Sequence, residues 1–154
     1  MYRIFKLISR ITIIIFIAML LYVYAFLPEV VKLYIDDNNV ALMAVGKEQF
    51  FYGCLGIFVV CTLILSYLKK SLHAIPITTA PHSISENKKE SMLIWANSLS
   101  VVLYLFMILT VSFIGMYHNS EHFDISNFAF MIYLGPILLL CWIFYLPFVF
   151  FRKS

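Results

Sequence analysis

The sequence predicts an all-α membrane protein: a four-helix transmembrane bundle with a small extracytoplasmic β-hairpin between helices one and two. Three observations predict it. Apolar residues make up 63% of the chain and charged residues 12%, against about 45–50% and about 25% in soluble domains. Four charge-free runs approach or exceed the roughly 20 residues that a helix needs to cross a hydrocarbon core. The cations gather at one end of these runs and most of the anions at the other. A water-soluble domain of 154 residues with this composition would have too few charges to cover its surface.

The first span is expected at 7–27, where the uncharged run Ile11 to Leu27 is extended inward by Leu7 to Arg10. Val23-Tyr24-Ala25 has the small-residue spacing of a signal-peptidase site, and cleavage after Ala25 would leave three spans. The apolar run is long for a signal sequence, and Tyr22 and Tyr24 crowd the site, so the helix is expected to be retained. The second span is expected at 49–68, the third at 92–117 and the fourth at 126–150. The last two exceed the minimum length and so allow tilt. Gly135-Pro136 should bend the fourth helix, because proline withholds a backbone donor.

Charge orients the spans. Arg3, Lys6, Arg10, Lys69, Lys70, Lys88, Lys89, Arg152 and Lys153 fall on one side, with Glu86 and Glu90. Lys32 and Lys47 fall on the other, outnumbered by Glu29, Asp36, Asp37, Glu48, Glu121 and Asp124. Cations stay cytoplasmic, which places both termini and the loop 69–90 inside and the hairpin and third loop outside. The net charge of +3 follows from this sidedness. It forms no continuous basic patch for nucleic acid. Tyrosines and tryptophans fall near the span ends, as amphipathic rings do. Cys54, Cys61 and Cys141 all lie within spans and read as small hydrophobes.

The two long connections differ in character. Residues 69–90 carry Pro76, Pro81 and a Ser83/Glu86 capping-box spacing, so the third helix should begin before the membrane does. Lys88 and Lys89 then sit at headgroup depth as ordinary inside anchors. Residues 29–46 read as two strands about an Asp37-Asn38 turn. That register opposes Ile35 to Val40, Leu33 to Leu42 and Val31 to Ala44, and puts every apolar pair on one face. An isolated hairpin is marginal in water, so this face should rest on the bundle or on a partner. Val31, Leu33, Ile35, Val40 and Leu42 are therefore the expected partner-binding residues, and the strand edges are open templates.

This segment resembles the one that opens the immunity-protein family for the sporulation-delaying toxin, and small membrane proteins of AT-rich bacteria. Leu27, Pro28, Val31, Asn38, Gly46, Lys47 and Phe50 are the matching positions. Lys32 stands where the family has a second proline, Tyr34 where it has a histidine, and the turn lacks the family's glycine. The likeness covers about 25 residues. It implies an external hairpin between helices, and it does not extend to toxin immunity.

No metal site and no cofactor are expected. The nearest pattern is His118-Asn119-Ser120-Glu121-His122, an H-x-x-E-H spacing that on a helix would put His118 and His122 on one face with Glu121 as base. It falls in a short polar loop, which favours a wet turn. No nucleophile elbow, phosphate loop or dinucleotide fingerprint is present. No charged group lies deep in a span, and ion pathways ordinarily need one. Asn97, Ser98, Ser100, Thr110 and Ser112 are expected to act as interhelical glue.

The sequence therefore reads as a non-catalytic integral subunit or accessory protein of a bacterial inner-membrane complex. Its partners are the bilayer and other membrane-protein subunits, and self-association stays open. Two alternatives stand beside this: an immunity or sensing protein that recognises a toxin or peptide, and an enzyme or transporter using the His118/Glu121/His122 edge.

Overall fold

The computed structural model describes residues 2–35, 41–75, 86–119 and 130–151. Four helices, α1 (Tyr2–Phe26), α2 (Lys47–Ala74), α3 (Glu86–His118) and α4 (Phe130–Phe151), frame one antiparallel hairpin of β1 (Val30–Ile35) and β2 (Ala41–Gly46). The chain is mostly helical, and α1, α2 and α3 are each long and apolar enough to cross a membrane. The described apolar core of α4, Tyr133–Tyr145, is shorter than such a span.

The helices outrun the expected spans at both ends of α2 and at the N-terminal end of α3. At 33 residues, α3 is about 50 Å long, well beyond a hydrocarbon core of about 30 Å. Helical hydrogen bonding does not stop where apolar residues do, and Glu86, Lys88, Lys89 and Glu90 are good helix formers. Lys89 joins the two overhangs. Its Nζ donates to the carbonyls of His73 at 2.8 Å and Ile75 at 2.6 Å, closing carbonyls that the end of α2 leaves unpaired. The lysine expected as a headgroup anchor thus caps a neighbouring helix.

The core sits around α3. On α1, Phe16 and Leu20 are almost completely buried, and Phe16 stacks on Phe58 of α2 with ring centroids 4.5 Å apart. Phe58 in turn lies 5.4 Å from the ring of Tyr104 on α3. Tyr104 is 2% exposed, and its hydroxyl donates to Thr62 Oγ1 at 3.2 Å. Aromatic rings at these offsets add to simple burial, and the hydroxyl gives α2 and α3 a common polar point.

Two glycines let helices approach closely. A Cβ on Gly115 would lie 2.9 Å from Val23 of α1, and one on Gly135 would lie 2.5 Å from Phe106 of α3. Trp95 adds a second clip to α4, its indole N–H donating to the Trp142 carbonyl at 3.2 Å. Helix α4 continues through Pro136 and Pro147 as one element.

The expected interhelical glue works differently. Asn97 Nδ2 donates to Leu93 O, Ser98 Oγ to Ile94 O, Ser100 Oγ to Ala96 O, Thr110 Oγ1 to Phe106 O and Ser112 Oγ to Ile108 O, all at 2.7–2.9 Å. Each bond returns to the residue's own helix one turn back. The hydroxyls are thereby satisfied locally, and the residues serve as small packing positions on α3.

The outward faces of the other helices are apolar, with Ile14 67%, Ile64 62% and Phe144 75% exposed. A continuous apolar surface of this extent on a monomer calls for a solvent or partner other than water.

We expect Gly115→Ala and Gly135→Ala each to lower stability by about 1–3 kcal/mol, the usual cost of overpacking. Thermal unfolding in detergent checks this. Gly135→Ala should in addition raise proteolysis within α4, since α3 is the helix that holds it.

Candidate functional site

The hairpin and the helix ends beneath it form the candidate site. Its register differs from the alternation-based expectation by one residue. Val30 pairs with Gly46, Val31 with Val45 and Lys32 with Ala44. Irregularities follow between Lys32 and Tyr34 and between Tyr34 and Ile35, so that Tyr34 opposes Met43 and Ile35 opposes Ala41. Val31 therefore faces Val45 instead of Ala44, and Ile35 faces Ala41 instead of Val40. The base fixes this register: Lys47 N–H donates to Glu29 O at 2.9 Å, continuing the ladder by one rung into the first residue of α2.

The face carrying Val31 is set on the bundle. Val31 is completely buried and belongs to the same core as Leu27 and Phe50, with Val45 packed against it. This makes Val31 a seat for the hairpin on the bundle. Ile35 and Leu33 lie in β1 and Leu42 in β2, while Val40 lies outside the described residues.

His118 makes the contact that alternation could not show. Its Nδ1 lies 2.9 Å from the Ile114 carbonyl and its Nε2 accepts the Lys32 backbone N–H at 2.8 Å. A carbonyl can only accept, so Nδ1 is the donor and Nε2 the acceptor in this pair of contacts. The imidazole ties the end of α3 to the outer edge of β1, across 86 residues of sequence. The edge of β1, expected to be open, is closed at Lys32. Tyr117 packs edge-on against the same ring at 5.4 Å.

The H-x-x-E-H pattern is not assembled by these contacts. His118 is at the last turn of α3 with both nitrogens engaged, and a metal would have to displace one of them. Glu121 and His122 lie outside the described residues. Among the described residues no group of three or more His, Cys, Asp or Glu side chains is placed to hold a metal ion.

A polar cleft lies at the base of the hairpin, lined by Tyr24, Glu29, Gly46, Lys47, Glu48 and Gln49. Lys47 Nζ stands 4.7 Å above the Tyr24 ring, a cation–π contact. Gln49 Oε1 accepts the Gly46 N–H at 3.3 Å, one half of a capping box, which glycine has no side chain to complete. Together with the Glu29 bond these contacts hold the hairpin's exit strand at a fixed angle to α2.

No family model, curated protein or solved structure matches the chain.

Replacing His118 with alanine should leave the helices intact but free the base of the hairpin. Hydrogen exchange at the Lys32 amide should accelerate to the rate of an exposed edge, with little change in α3 above its last turn. Unchanged protection at Lys32 would contradict the assignment of His118 as its acceptor.

Proposed function

We propose that this is a non-catalytic integral protein of the bacterial cytoplasmic membrane that works by contact, as an accessory subunit of a larger assembly. Its helices lie in the bilayer with both termini and the 69–90 connection in the cytoplasm, and the hairpin is its extracytoplasmic platform. The orientation follows from the cations at the ends away from the hairpin. The observation that carries the reading is the way the hairpin is fixed. The Lys47–Glu29 bond, buried Val31 and the His118–Lys32 bond fasten a short sheet, marginal on its own, to the top of the bundle. A segment held at several independent points is suited to present a surface.

The polar groups within the helices support a role without chemistry in the membrane. The hydroxyls and amide of α3 are bonded back along their own helix, and Tyr104 meets Thr62. These are packing arrangements. The enzyme or transporter reading draws no support from His118, whose two nitrogens are taken. The immunity or sensing reading uses the same platform, with a toxin or peptide in place of a subunit.

Purification of the tagged protein in mild detergent, followed by mass spectrometry, tests the proposal. A different membrane protein in stoichiometric amount is expected. Serine at Leu33, Ile35, Val40 and Leu42 together should release it while leaving membrane insertion unchanged. Absence of any such companion, or its retention by the quadruple variant, would contradict the proposal. Protection of cells against an added toxic peptide, lost in the same variant, would favour the sensing reading instead.

A further inference from the structure

The hairpin's attachments differ in how they respond to protons. Val31 is held by burial, and the Glu29–Lys47 rung joins two backbone groups. Neither titrates. The third attachment is different in kind. The Lys32 backbone N–H can only donate, so His118 Nε2 must offer it a lone pair. An imidazolium carries a proton on both nitrogens and accepts on neither. The Lys32 contact and a charged His118 ring therefore exclude one another.

The surroundings set the direction of the change. Toward α3 a charged ring loses nothing. Nδ1 still donates to the Ile114 carbonyl, and His118 stands in the last turn of its helix, where unpaired carbonyls favour a cation. Toward β1 the ring loses its partner, since two donors would meet across the 2.8 Å that now separates Nε2 from the Lys32 nitrogen. Of the charged residues on the elements around this end, Lys32 and Lys47 oppose a further cation, and Glu29 and Glu48 favour one. Among the described residues no carboxylate is paired with the ring. The neighbouring titratable groups are phenols: Tyr117 against the ring, Tyr22 and Tyr24 at the end of α1, and Tyr133 as the first on α4. Glu121, His122 and Asp124 follow in sequence and lie outside the described residues.

We propose that His118 is a proton-operated latch, in which the uncharged ring fastens β1 to the end of α3 and protonation releases β1 at Lys32. Histidine is the side chain whose charge ordinarily changes between about pH 5 and about pH 8. The attachment is present at the alkaline end of that range and lost toward acid. Buried Val31 and the Glu29–Lys47 rung persist, so the hairpin stays seated and the release is confined to the outer edge of β1. The freed Lys32 N–H becomes a donor on an edge strand. With the orientation proposed above, the latch faces the medium, whose pH the cell does not hold constant. The latch itself rests on the two bonds of His118, and not on that orientation or on any partner.

The full chain, isotope-labelled and reconstituted in nanodiscs, gives the test by nuclear magnetic resonance. Exchange of the Lys32 amide is measured at about pH 8 and about pH 5 and divided by the intrinsic rate at each pH. That protection should fall about fivefold toward acid, the scale of one hydrogen bond, while the Lys47 and Tyr104 amides keep theirs. The ring-nitrogen shifts of His118 should pass from one-proton to two-proton values over the same interval. His118→Gln, which cannot take a charge, should abolish the pH dependence, and His118→Ala should leave Lys32 weakly protected throughout. The response should survive Glu29→Gln and His122→Gln. Constant Lys32 protection in the wild-type chain would overturn the proposal without any variant having to fold. So would a response that persists in both His118 variants, or one lost with Glu29→Gln or His122→Gln. Parallel loss of protection at Lys47 and Tyr104 would mark general acid unfolding and overturn it as well.

Discussion

The structure depends on α3 having partners on several sides while carrying no charge through its middle. Tyr104 meets α2, Gly115 receives Val23 of α1, and Phe106 and Trp95 receive α4. A helix buried in this way must satisfy its polar groups without water, because an unpaired hydroxyl or amide in an apolar interior costs several kcal/mol on hydrocarbon scales, about 2–7. Helix α3 meets that demand locally. Asn97, Ser98, Ser100 and Ser112 each use a carbonyl one turn earlier. Their small side chains are then free to be packed against, and the remaining helices arrange themselves around the axis so formed.

The hairpin is an extension of the same economy to the end of the bundle. It has too few residues to support itself, and its stability is borrowed. Val31 extends the α1 core upward from Leu27, Lys47 joins the ladder before it begins α2, and His118 uses the final turn of α3 to hold β1. Three helices therefore determine where the strands lie. A hairpin fixed by three elements moves with the bundle.

Much of this was legible in the sequence. The helices, their order and the place of the hairpin follow from apolar runs and the Asp-Asp-Asn-Asn break. The register did not follow, for a physical reason. Alternation alone favours the pairing that segregates the most apolar residues, but the base of the hairpin is set by the Glu29–Lys47 bond, and the ladder then absorbs irregularities on either side of Tyr34. The role of His118 was hidden by its neighbours, since His118, Glu121 and His122 share a metal-binding spacing while the true partner is a backbone amide far away in sequence. Lys89 looked like a membrane anchor because sequence shows charge and not which carbonyls lie within reach. The serines and Asn97 were expected to bridge helices, yet the nearest acceptor for each was on its own helix. The glycines look alike in sequence, and the structure separates them: Gly115 and Gly135 have a close neighbour, whereas Gly53 and Gly56 have none within 4 Å among the described residues.

We propose that lipid surrounds the exposed faces of α1, α2 and α4 while α3 is shielded by them. Spin labels placed singly at Ile14, Ile64, Phe144 and Ser100 in reconstituted vesicles test it through power saturation. The first three should be relaxed strongly by oxygen and weakly by a water-soluble nickel chelate, and Ser100 should respond little to either. Strong relaxation by the chelate at Ile14, Ile64 or Phe144, or by oxygen at Ser100, would contradict it.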